Sequence, residues 1–76
     1  MKKQAFSIVR RYRKCFVALA IKDPKNSVTY WHIYTDQLNG LLDMLACDTT
    51  ISHIEFVLMV KYFYKKFNEL YDIYCK

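Results

Sequence analysis

Apolar residues return at helical intervals in three stretches of the chain. In residues 3–22, Ala5, Val9, Tyr12, Phe16 and Leu19 are spaced alternately by four and three, and Ile8 and Cys15 widen the stripe. In residues 27–47, Trp31, Tyr34, Leu38, Leu41 and Leu45 repeat the pattern, with Leu42 beside them. In residues 52–75, Val57, Val60, Tyr64, Phe67, Tyr71 and Tyr74 keep heptad spacing, and Phe56, Phe63 and Leu70 extend that face. Lys61, Lys65, Glu69 and Asp72 lie away from it.

The breaks between the stripes have local causes. Pro24 disfavours helical geometry at Asp23, so the first helix should stop there. Asn26 or Ser27 is placed to cap the second helix, and Asp48-Thr49-Thr50 ends it. Ser52 and Glu55 have capping-box spacing, and Ile51 with Phe56 matches a hydrophobic staple, so the third start is the best marked.

These elements predict one domain over residues 1–76. It is an all-α three-helix bundle with helices at about 3–22, 27–47 and 52–75, complete in itself or as half of a dimer. A rival α+β reading pairs 15–22 with 28–34 as a hairpin around Pro24, adds 53–60 as a third strand and caps a helix at 36–47 with Thr35. It draws on the β-prone run Val28–Tyr34 and on Asn39-Gly40, where glycine weakens a helix. Three separate helical stripes favour the bundle.

Composition changes this picture in few places. At 76 residues the chain buries only about 60% of its unfolded surface, which leaves little room for an enclosed active site. One Gly and one Pro exclude collagen-like and linker classes. No apolar run nears the roughly 18–20 residues of a membrane span. Seven tyrosines are the unusual feature. Tyr12, Tyr34, Tyr64, Tyr71 and Tyr74 fall on core faces, Tyr30 at a margin, and Tyr62 opposite its stripe. Phe, Tyr, Met, Ile, Asn and Lys make 33 of the 76 residues, and their AT-rich codons fit a gene carried by a phage, plasmid or genomic island.

Charge is concentrated in one segment. Residues 1–22 hold seven bases and no acid (+7), whereas residues 23–76 hold five bases and seven acids (−2). Lys3, Arg10 and Lys14 share a helical face, with Arg11 and Arg13 to either side, so the first helix is a candidate anion or nucleic-acid patch. Three cysteines cannot all pair within one chain, and Cys15, Cys47 and Cys75 read as reduced thiols of a cytoplasmic protein. The apolar run Cys15–Ile21 stands at the lower limit of a signal-peptide core, and Lys-Asp-Pro follows it directly, so a secretory signal is not the expectation.

Motifs for chemistry are missing. There is no Gly-rich phosphate loop, nucleophile elbow or HExxH, and no close pair of zinc ligands. Cys47, Asp48 and His53 are neighbours in sequence, but a thiol near a helix C-terminus is poorly activated, and the cysteines read as small hydrophobes. The expectation is therefore no enzyme activity, no catalytic, metal or cofactor site and no small-molecule substrate. The main expectation is a small regulatory or accessory protein, a homodimer or the binder of another protein. Its interface residues are Leu58, Met59, Tyr62 and Ile73, placed behind or beside the third stripe. Val17 and Ile21 lie behind the first. The alternative is a nucleic-acid-binding protein that uses the basic first helix on the phosphate backbone. The start of the third helix, Ser52–Phe56, offers no Arg, Lys, Asn or Gln to read base edges.

Overall fold

A computed structural model describes residues 2–76, with side chains from Lys3 onward. It contains α1 (Lys2–Lys22), a 3₁₀ turn (Pro24–Asn26), α2 (Ser27–Ala46) and α3 (His53–Tyr74), with no strand among the described residues. The ring of Phe6 meets Tyr62 and Phe63, and the ring of Phe16 meets Tyr74. Helices α1 and α3 therefore run parallel, with α2 opposed to both. The three form a rod-like bundle of 41 × 18 × 16 Å.

The rival hairpin is overturned, because Val28–Tyr34 forms the first turns of α2. Helical geometry brings Trp31, Tyr34 and Leu38 to one side, where each finds a partner. The Trp31 ring packs 4.8 Å from Tyr71, and its Nε1 donates to the Phe67 carbonyl at 3.3 Å. Tyr34 lies against Tyr12 and Phe16. These contacts override the β propensity of the segment. Thr35 is a mid-helix residue and not a cap, its hydroxyl donating to the Trp31 carbonyl at 2.7 Å. Gly40 sits within α2 with open space where a Cβ would stand, so nothing inside the chain requires it.

The core has two parts. Ala5, Val9, Leu38, Leu42, Leu45, Met59, Phe63 and Phe67 fill one, and Phe16, Ala20 and Leu70 the other, with aromatic rings closing its rim. On α1 the buried stripe ends at Ala20 in place of Leu19. On α3 its centre is Met59, Phe63, Phe67 and Leu70, while Tyr64 and Tyr71 face α2. Met59 is thus a correction: expected at an interface, it is only 5% exposed and belongs to the core. Because α3 packs between two helices, its buried arc is broader than one heptad stripe. The stripe had picked out the edge toward α2.

Hydrogen bonds fix the corners. Asp23 accepts from Asn26 Nδ2 at 2.8 Å and from the Tyr30 hydroxyl at 3.0 Å. The bond to Asp23 raises the Tyr30 pKa above the ordinary phenol value, with desolvation and the carboxylate charge adding to it. Asn26 stands at the start of α2 but turns its side chain to Asp23 rather than to the helix. Ser27, a buried polar residue, donates from Oγ to the Tyr74 carbonyl at 3.0 Å and ties the start of α2 to the end of α3. At the second corner Asp48 accepts from the Thr50 hydroxyl at 2.7 Å and its N–H at 2.9 Å, which lowers the carboxyl pKa. Ser52 caps α3 as expected, accepting from the Glu55 N–H at 3.2 Å. Among the described residues no helix is long and apolar enough to cross a membrane.

Candidate functional site

The bundle brings together two groups of residues that look separate in sequence. Residues spaced by four and three on α1 (Phe6, Arg10, Arg13 and Val17) form the edge that meets α3. Across from them stand Tyr62 and, one turn on, Lys66. The rings of Phe6 and Tyr62 approach edge to face at 5.5 Å, and each also meets Phe63, at 5.4 and 5.7 Å. Both Phe6 and Tyr62 stay partly in solvent, at 38% and 43% exposure. Tyr62 is therefore not on the back of the molecule, as its place opposite the stripe implied. It stands on the flank beside the basic helix.

Cations surround this ring pair. Lys66 Nζ lies 5.8 Å from the centroid of the Tyr62 ring, within reach of a cation–π attraction, and 3.8 Å from Glu69. Arg10, Arg13 and Lys66 close a small hollow of about 20 Å³ with Phe6, Val9 and Tyr62. Arg10 and Arg13 also line an adjoining open groove of about 490 Å³ with Lys14, Val17 and Ala18. Arg13 is half-buried, and its Nε is shielded from solvent without a hydrogen-bond partner. Among the described residues, no carboxylate stands within ion-pair distance of Arg10, Arg13 or Lys14. The flank holds more positive charge than the chain itself neutralises.

The other expected site residues distribute differently. Lys3 and Arg11 line a separate groove with Gln4, Ser7 and Ile8. Leu58 and Ile73 are exposed, at 61% and 68%, on the same side of α3 as Tyr62. Phe6 and Lys66 are additions that the sequence stripes did not single out. Their signal was the repeat of apolar and basic residues along one edge of each helix, but only the packing shows that those two edges meet.

The thiols stand apart from this flank. All three cysteines are free, with Cys15 and Cys47 exposed and Cys75 half-buried. Reading them as core-like hydrophobes fails for the first two, because Cys15 lies past the edge of its stripe and Cys47 follows the end of α2. Burial, and then the neighbouring Cys15, raises the pKa of the Tyr34 hydroxyl. Among the described residues, no three His, Cys, Asp or Glu side chains are grouped to hold a metal ion. No family model, curated protein or solved structure matches the chain.

Proposed function

We propose that the protein is a small non-enzymatic regulatory or accessory protein that acts by binding another protein, docked on the α1–α3 flank. One juxtaposition supports this reading: a half-exposed Phe6–Tyr62 ring pair set among Arg10, Arg13, Lys14 and Lys66, most of whose charge the chain leaves unmatched. Aromatic rings that bury area at low entropic cost, flanked by arginine, are the composition of binding hot spots. A second copy docked through the same flank would bring two strongly basic helices together, so a partner of different composition fits better.

The test is a Tyr62→p-benzoylphenylalanine substitution, photo-activated in cells that express the protein, with Thr29→p-benzoylphenylalanine on the outer face of α2 as the control. The expected result is a discrete adduct at position 62 that protease removes and nuclease does not, with none at position 29. A nuclease-sensitive adduct would instead make the flank a nucleic-acid face. An adduct of twice the chain's mass would make the partner a second copy. Equal labelling at both positions would end the proposal.

A further inference from the structure

The hollow beside Tyr62 defines the chemistry of the docked segment more closely, given the protein-binding reading above. Arg10 and Arg13 approach it from α1 and Lys66 from α3, over a floor of Phe6, Val9 and Tyr62. Its volume is about 20 Å³. Three cations around so small a hollow suit the end of a carboxylate. Arg13 Nε is shielded from solvent, so an incoming carboxylate meets the terminal N–H groups of the guanidinium, which are not among the buried atoms. Among the described residues, Glu69 is the carboxylate that pairs with a member of this cluster. It reaches Lys66 at 3.8 Å from a half-exposed position, which leaves both arginines open.

The adjoining groove sets the second requirement. It shares Arg10 and Arg13 with the hollow and continues over Val17 and Ala18 beside Lys14. This floor is aliphatic and itself offers no ring for stacking; the exposed rings of the flank, Phe6 and Tyr62, line the hollow instead. It does offer a seat for an apolar side chain next to an acidic one.

We propose that the α1–α3 flank takes an acidic, amphipathic peptide segment of the partner. One of its carboxylates enters the Arg10–Arg13–Lys66 hollow, and an apolar neighbour lies over Val17 and Ala18. The planar guanidinium of Arg13 then presents its terminal N–H groups to the carboxylate in a fork that lysine cannot reproduce.

The experiment follows the arginine Nε–Hε resonances of the intact, isotope-labelled chain by NMR. The probes are a soluble peptide of Glu-Leu repeats, an oligothymidylate of equal charge, and inorganic phosphate. With the peptide, the Arg13 Nε–Hε signal should move to a saturable end point. Arg13→Lys should weaken the peptide about tenfold, the loss of one charge-assisted hydrogen bond, with the helical spectrum unchanged. Tighter binding of the oligothymidylate, or an Arg13 shift saturated by phosphate alone, would overturn the carboxylate site. A protease-sensitive adduct at position 62 together with a silent Arg13 would overturn it too, while leaving the flank a docking face. Absence of that adduct removes the reading on which the site rests.

Discussion

The two flanks of α3 are built from similar residues and finished in opposite ways. On the side toward α2, polar groups find partners inside the chain: Ser27 reaches the Tyr74 carbonyl, Trp31 the Phe67 carbonyl and Tyr64 the side chain of Asn39. On the side toward α1, the side chains described from Lys3 onward meet through ring edges, with no hydrogen bond between them across the two helices, and Arg10, Arg13 and Lys14 have no ion-pair partner among them. A seam closed by its own hydrogen bonds holds the bundle together. A seam that keeps its donors free is suited to something outside it.

The comparison can be broken by mutation. Trp31→Ala, on the hydrogen-bonded flank, should cost about 3 kcal/mol, the lower end for a large aromatic because the indole is only half-buried. Phe6→Ala, on the open flank, should cost about 1–2 kcal/mol, mainly edge-to-face contacts and partial burial. Urea unfolding followed by far-UV dichroism measures both, and equal losses would erase the distinction. Ser27→Ala should then remove about 1 kcal/mol by leaving the Tyr74 carbonyl without its donor. The double change Arg10→Gln and Lys66→Gln should stay within about 0.5 kcal/mol. A loss well beyond that would mean the open flank already contributes its charges to the fold.

The smallest effects belong to the corners and depend on pH. The folded Asp48 carboxyl titrates below its ordinary value, so its contribution is present above about pH 4 and fades as pH falls through the lowered pKa. The folded Tyr30 hydroxyl titrates above its ordinary value, so its contribution is present below about pH 10 and fades as pH rises through the raised pKa. Asp48→Asn should flatten the acid limb of a stability profile and leave the alkaline limb. Tyr30→Phe should do the reverse. A variant that alters both limbs would show that the two corners are not independent.

The bundle itself was legible in the sequence, since three stripes, a proline break and the Ser52 cap are local signals and all three helices end near their expected positions. The rotation of α3 was not. Val60 and Met59 are adjacent and both apolar, and spacing alone cannot say which lies nearer the centre of a helix that packs against two neighbours. That choice moved Met59 from surface to core and moved Tyr62 from the back to the α1 flank. Lys66 escaped notice for a related reason. Its value comes from Arg10 and Arg13 on another helix, and no spacing within α3 encodes that meeting. Arg10 and Arg13 themselves were visible as a charge run, because a segment with no acid needs no fold to be recognised.

The order in which the helices are joined also shapes how quickly each seam closes. Connections of a few residues link α1 to α2 and α2 to α3, whereas the pairing of α1 with α3 spans the whole of α2. Loop closure makes that pairing the slowest to form. With ring edges as the main contacts among its described residues, it should be the first to part under native conditions. Amide exchange should then run faster in the first turns of α1, around Phe6, than in the matching turns of α2. Each such opening would briefly uncover Val9 and Phe63, so the flank that meets a partner is also the one whose depth varies with time.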